Sequence, residues 1–239
     1  MASKQDILRW KRNSEAKLHL PFKAVSNTYQ DIKTAEKELC HLEMSNRTRW
    51  MVQKGYVIMM VSAVEVYFRD MFDFMIKQSL KYGHTVKLQG LHKKRYDVDE
   101  IHSHIQDEIS PYELVVNSVN FQNYKAIEEA YAHLLSKSLW KGAKAIKIKR
   151  KEGKDFSIDD RHLGSFRRLL KLRHELIHQS FHADSGISQS DKDGIIDTLF
   201  VLKAADEFLI QHFLLHILRD ISTKQYKRKK GAKSTKPPN

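Results

Sequence analysis

The segment LRHELIHQ (residues 172–179) contains the residue types and the spacing that could do chemistry. Within it, His174, Glu175 and His178 match H-E-x-x-H, in which two imidazoles one helical turn apart bind Zn²⁺ and the glutamate activates a water molecule. The same segment pairs Arg173 with His178 in the pattern R-x4-H. That pair would combine a guanidinium, which binds phosphate, with an imidazole, which carries a proton near neutral pH. The two patterns predict different chemistry, so the surrounding sequence has to distinguish them.

The zinc pattern requires a third protein ligand. The extended form of the motif needs a glycine three residues after His178, where the sequence has Phe181. The other common solution is a glutamate on a following helix, for which Glu207 is the candidate. H-E-x-x-H is the pattern of zinc proteases, and these enzymes also place the motif helix against a β-sheet. No segment of this sequence alternates polar and apolar residues as a strand would. His174, His178 and His182 recur every four residues, which is more typical of a polar helix face than of a metal site.

Composition limits the class of protein. A chain of 239 residues with only 9 Gly and 4 Pro favours a single domain of long helices. One cysteine, Cys40, excludes an intramolecular disulfide and fits a reducing compartment. The first residues contain no apolar signal segment, and the longest apolar run, residues 56–64, is far shorter than the ~20 residues of a membrane span. These features predict a cytoplasmic protein without a membrane partner, and the net charge of +13 suits a nucleic acid.

Apolar spacing predicts an all-α fold. Residues 22–44 and 47–82 have helical periodicity, and the second stretch is apolar on nearly all sides, as expected of a central helix. A helix that begins at Ser157 as its N-cap contains the motif, and a long final helix follows from Lys192 to Ser222. The prediction is therefore four main helices in an up-and-down bundle, with inserted short helices.

The predicted domain covers residues 1–223. Residues 5–20 form a short amphipathic segment, and residues 84–157 form an inserted segment with a basic loop at 84–97, short helices that include one at 120–139, and a second basic loop. Residues 224–239 contain seven Lys and Arg and no acidic residue, so this tail is predicted to be disordered.

Two segments, VSAVEVYFRDMF (residues 61–72) and LRHELIHQSFH (residues 172–182), together with the order of the helices around them, resemble the HEPN superfamily. The resemblance covers about residues 22–82 and 157–222 and leaves the inserted segment outside. In that family the arginine of R-x4–6-H is often followed by a polar residue, and His174 occupies that position. The resemblance implies a HEPN-like bundle, a homodimer whose two motif helices form one cleft, and a metal-independent endoribonuclease without a cofactor. A toxin or antiviral defence role is implied with it.

The resemblance also implies roles for individual residues. His178 is the acid/base that takes the proton of the ribose 2′-hydroxyl, and Arg173 binds the phosphate. The expected product is a 2′,3′-cyclic phosphate. His174 is a second proton donor, and Glu65 is a weaker helper whose alternative role is that of an ion-pair partner for Arg69 or Arg173. The basic residues predicted to bind RNA are Arg167, Arg168, Lys171, Lys149 and Arg150.

Alternatives remain at this point. Positions 173 and 178 lie about 140° apart on an ideal helix, and Arg168 or Arg167 could pair with His174 instead, as R-x5-H or R-x6-H. Toxin members that pair with a nucleotidyltransferase antitoxin often carry tyrosine two residues after the histidine. Ser180 stands there and argues against that partner, although another protein encoded in the same operon stays compatible. The alternative function is a non-catalytic HEPN-like helical module that binds nucleic acid or a protein partner.

Overall fold

The computed structural model describes residues 21–81, 98–149, 155–178 and 186–233. Over these ranges the chain forms eight helices and one pair of two-residue strands, so the all-α prediction is confirmed. None of the described helices combines the length and the apolar composition that a membrane span needs. The predictions for residues 5–20 and 84–97 and for Arg150, Ser180, Phe181 and His182 lie outside the described residues.

Four helices of 19 residues or more form the main framework: α1 (Pro21–Leu39), α2 (Asn46–Lys81), α7 (Asp160–His178) and α8 (Gln189–Lys233). Between α2 and α7 come the short helices α3 (Val98–Gln106), α4 (Pro111–Ser118), α5 (Tyr124–Leu135) and α6 (Leu139–Ala145). The antiparallel strands β1 (Ile148–Lys149) and β2 (Asp155–Phe156) follow them. Helix α1 packs on α2, and α7 packs on both α8 and α2, which places the motif helix between two long neighbours.

Helix boundaries differ from the sequence prediction in the inserted segment. Residues 120–139 form the end of a loop, helix α5 and a turn instead of one helix. The interruption is at Ser136, whose φ of 53° is left-handed and ends α5. Ser138 then accepts a hydrogen bond from the backbone N–H of Lys141 and starts α6.

The start of α7 also differs from the prediction. Ser157 is not its N-cap, because the Ser157 hydroxyl donates to the carbonyl of Ile146 and the helix begins at Asp160. Asp159 has the capping role, since its carboxylate accepts from the backbone N–H of His162 at 3.1 Å. Hydrogen bonds from the His162 backbone and ring lower the pKa of the Asp159 carboxyl. The N-cap of the motif helix is therefore two residues later than predicted, at Asp159 instead of Ser157.

Helix α8 is longer than predicted at both ends. It begins at Gln189, after Ser188 accepts a hydrogen bond from the Asp191 backbone, and it continues to Lys233. Its backbone therefore includes residues 224–233, where the sequence predicts a disordered tail. Lys, Arg, Gln and Ala, which dominate that stretch, are all good helix formers, and this gives a physical reason for the difference.

Helix α2 forms the centre of the core, as predicted. Its fully buried side chains include Val57, Val61, Tyr67, Phe68 and Phe72. It is not covered on every side, however, because Met59, Val66 and Phe74 are 48%, 44% and 48% exposed.

A polar contact between two side chains crosses this core. The hydroxyl of Tyr67 donates to the carboxylate of Asp206 at 3.3 Å and joins α2 to α8. Burial raises the pKa of the Asp206 carboxyl above its ordinary value. Burial, together with the nearby Asp206 carboxyl, raises the pKa of the Tyr67 hydroxyl well above its ordinary value. The phenol therefore stays protonated and keeps its hydrogen-bond donor for Asp206.

Two helical glycines provide a matched test of this packing. A methyl group on Gly142 in α6 would overlap the Phe208 ring, whereas one on Gly164 in α7 would meet nothing within 4 Å. We expect Gly142→Ala to lower the free energy of unfolding by about 1–3 kcal/mol through overpacking. Gly164→Ala should raise it by about 0.5–1 kcal/mol, because alanine favours the helix. Urea unfolding followed by circular dichroism measures both, and a stabilising Gly142→Ala would contradict the described α6–α8 contact.

Candidate active site

Arg173 belongs to a polar network that joins three parts of the fold. Its Nη1 donates to the side-chain carbonyl of Gln122 at 2.5 Å. The amide nitrogen of Gln122 donates to the carboxylate of Glu65, and Arg69 forms an ion pair with the same carboxylate. All four side chains are half-buried. We call these residues (Glu65, Arg69, Gln122 and Arg173) the Glu65 network.

Local sequence explains why these side chains meet. Glu65 and Arg69 are four residues apart on α2, the spacing at which helical side chains are neighbours. Gln122 lies in the loop before α5, where the Asn120 side chain accepts a hydrogen bond from the Gln122 backbone at 3.0 Å. Phe121 is fully buried and contacts the ring of Phe72 on α2. The buried phenylalanine therefore fixes the loop against α2, and the next residue, Gln122, reaches Glu65.

The Glu65 network carries two guanidinium groups and one carboxylate. Within the described part of the chain, Nε of Arg69 and Nε of Arg173 are buried without an acceptor. A buried donor without a partner is costly, and a charged donor binds an anionic oxygen strongly. The network therefore has a positive charge and spare donors that suit an anion such as phosphate.

The two motif histidines lie on another face of α7. His174 and His178 are exposed, and their ring centroids are 4.4 Å apart. Arg167 and Lys171, which precede the histidines on α7, are also exposed. The four positions 167, 171, 174 and 178 are separated by four, three and four residues. Residues at this spacing share one side of a helix, over a length of about 16 Å. We call Arg167, Lys171, His174 and His178 the α7 stripe.

The first residue of the α7 stripe is held by aromatic side chains. The Arg167 guanidinium lies 4.2 Å from the ring centre of Tyr124, and its Nη2 donates to the Tyr124 hydroxyl at 3.1 Å. Tyr124 in turn stacks on Trp140, with ring centroids 4.7 Å apart and an interplanar angle of 12°. The stack connects α5, α6 and α7, so the position of Arg167 depends on rigid elements.

The other residues predicted to bind RNA have different surroundings. Arg168 donates to the carbonyl of Ser190 at 2.7 Å and pairs with Asp191 at 3.2 Å, so it ties α7 to the start of α8. Lys171 is largely exposed and pairs with Glu175 at 3.2 Å. Lys149 belongs to β1, away from α7 in the sequence, and Arg150 lies outside the described residues. Arg167 and Lys171 lie on the same side of α7 as the motif histidines.

The zinc pattern gains no geometric support in the described ranges. Glu175 is paired with Lys171, and Glu207 is paired with Lys203 at 2.9 Å. Over residues 21–81, 98–149, 155–178 and 186–233, no group of three or more His, Cys, Asp or Glu side chains is arranged to hold a metal ion. The proposed third ligand Glu207 therefore does not join His174 and His178 in such a group.

The sequence-predicted residues thus fall into two sets. Arg173 and Glu65 belong to the Glu65 network, and His174 and His178 belong to the α7 stripe. Glu65 pairs with Arg69, which was the structural alternative for its role, and it reaches Arg173 through Gln122. Sequence reasoning missed Gln122, because this residue is 51 positions from Arg173 and 57 from Glu65 and belongs to no motif.

Comparison with protein-family models, with curated proteins and with solved structures finds no match for this chain. The argument for a function therefore starts from the residues and contacts of the site itself. Those contacts are an anchored arginine with spare donors and an adjacent exposed pair of imidazoles.

The bridging role of Gln122 can be tested by stability. Gln122→Ala removes both hydrogen bonds of the bridge and leaves the half-buried Arg173 guanidinium without its described partner, so we expect a loss of about 1–3 kcal/mol in the free energy of unfolding. Gln78→Ala is the matched control, because Gln78 is also half-buried and forms no described hydrogen bond. A double variant with Arg173→Ala should lose less than the sum of the two single losses. Equal effects of Gln122→Ala and Gln78→Ala would contradict the bridge.

Proposed function

We propose that this protein is a metal-independent endoribonuclease of the HEPN type. The observation that carries the proposal is the position of Arg173, anchored by Gln122 on the same helical end that exposes the imidazole pair of His174 and His178. The net charge of +13 and the cationic α7 stripe favour a polyanionic substrate. A cytoplasmic toxin or defence role belongs to the same proposal and rests on the resemblance to that superfamily.

The reaction needs no group that the chain lacks. His178 takes the proton of a ribose 2′-hydroxyl, and the 2′-oxygen attacks the adjacent phosphorus. The bond from phosphorus to the 5′-oxygen breaks, and His174 supplies a proton to that oxygen. Arg173 stabilises the negative charge on the non-bridging oxygens. The products are a 2′,3′-cyclic phosphate and a 5′-hydroxyl end.

RNA binding would use the length of the α7 stripe. Arg167 and Lys171 provide positive charge on the surface that leads to His174, at a spacing suited to successive phosphates of a strand. Electrostatic contacts of this kind bind the backbone without reading the bases, so they position the strand for cleavage. Single-stranded RNA is the expected substrate, since its backbone can follow the surface of a helix.

Cleavage assays test the reaction directly. We expect the protein to cut labelled single-stranded RNA in excess EDTA and to leave 2′,3′-cyclic phosphate ends. His178→Ala and Arg173→Ala should each lower the rate by about 10²-fold or more, because each removes one part of the chemistry. RNA with 2′-O-methyl groups at every position should resist cleavage.

Two exposed residues outside the site serve as controls. His133→Ala and Arg47→Ala remove the same side-chain types from α5 and α2 and should leave the rate unchanged. Cleavage that survives both site variants would refute the assignment of residues, and cleavage abolished by EDTA would refute the mechanism. RNA that is bound but stays intact would favour the alternative, a non-catalytic helical module that binds nucleic acid.

A homodimer is part of the proposal, because Arg173 and His178 point to different sides of α7. One copy could supply the arginine and the other the histidine of a composite site. Mixing the inactive Arg173→Ala and His178→Ala variants should then restore part of the activity, since a mixed dimer contains one intact composite site. Sedimentation should show the dimer at micromolar concentration. A monomer, or a mixture as inactive as its components, would refute the composite site.

A further inference from the structure

Two adjoining cavities lie between α1, α2 and the start of α8, and none of their lining residues belongs to the Glu65 network or the α7 stripe. Their volumes are about 220 Å³ and about 190 Å³. They share the side chains of Glu36, Gln53, Tyr56 and Lys192 as lining. Because the shared residues connect them, a single ligand could extend from one into the other.

Three side chains with hydrogen-bond donors, Arg49, Tyr56 and Lys192, line the first cavity. The Tyr56 hydroxyl is buried and has no partner among the described residues. Arg49 lines the first cavity, and the described residues give its guanidinium no ion pair. The ammonium of Lys192 is 4.0 Å from the carboxylate of Glu36, which is itself more than half exposed. Two cations against one exposed anion leave the first cavity positively charged.

The remaining lining combines aliphatic side chains with the polar side chains of Lys33, Gln189 and Asp193 in the second cavity. Leu39, Met44 and Val52 line the first cavity, and Ile32, Ile187 and Ile195 line the second. Small-molecule sites typically combine such apolar walls with a few convergent polar groups. The six aliphatic side chains suit a chain or ring of carbon atoms.

We propose that this site binds a small organic anion, with a carboxylate or phosphate head and an apolar body. The head lies at Arg49, Lys192 and Tyr56, where the unpartnered hydroxyl and guanidinium donate to its oxygens. The body lies along the aliphatic walls of both cavities. The proposal does not depend on the ribonuclease activity, because it uses none of the residues of the Glu65 network or the α7 stripe.

The only cysteine of the chain provides a local readout. Cys40 is exposed and lines the first cavity. A bound ligand should therefore slow its reaction with a thiol reagent. Decanoate and decyl phosphate are the probes, used below their micelle concentrations, and decanol is the neutral control of equal chain length. We expect both anions to slow the labelling of Cys40 and to bind by calorimetry, and decanol to do neither.

Variants locate the binding contacts. Arg49→Met should weaken binding of decanoate about tenfold, the effect expected of one charged hydrogen bond. Tyr56→Phe should weaken it about threefold to tenfold for the loss of a neutral one. Arg47→Met is the control, because Arg47 is exposed on the same helix end and does not line either cavity. Binding of one anion alone would identify the preferred head. Decanol that protects Cys40 equally, or an Arg49→Met variant that binds as the native protein does, would overturn the proposal.

Discussion

The packing of four helices around Phe68 is the constraint on which the other contacts depend. Its ring lies 5.8 Å from those of Tyr131 on α5 and Trp140 on α6, and 6.5 Å from that of Phe166 on α7. The Tyr131 hydroxyl also donates to the Phe68 carbonyl at 2.8 Å. Since close-packed rings leave little room for sliding, this junction fixes the heights of α5, α6 and α7 against α2.

That apolar junction also sets the geometry of the polar site. Glu65 is one turn before Phe68 on α2, and Arg173 is two turns after Phe166 on α7. The aromatic junction sets the distance between Glu65 and Arg173, and the Gln122 side chain bridges that distance. The position of the Arg173 guanidinium therefore follows from the core and from regular helices instead of from a mobile loop. Support of this kind is what a group needs in order to hold a phosphate in one orientation.

The sequence predicted the features that depend on periodic burial and missed those that depend on single contacts. Helices α1 and α7 were found because apolar residues recur along one face, and α2 was found because its sequence is apolar on nearly all sides. Residues 120–139 kept that spacing through helix α5 and past its end, so the pattern could not show the left-handed turn at Ser136. Gln122 could not be found at all, because its partners are on α2 and α7 and no rule of spacing links three separate segments. Helix geometry already separated Arg173 from His178 by about 140°, but the inward contact of Arg173 with Gln122 required the structure.

The placement of Arg173 and the two histidines on different faces of α7 limits the reactions that an R-x4-H pair could support. Arg173 points inward to Gln122, whereas His174 and His178 face outward. A zinc ion would need its ligands on one side, but a phosphodiester in cleavage presents different oxygens to different partners. Its non-bridging oxygens require positive charge, and its 2′- and 5′-oxygens require proton transfer. Placing the charge and the imidazoles on separate faces therefore suits a phosphate that lies at the edge of α7, or in a groove that a second copy completes.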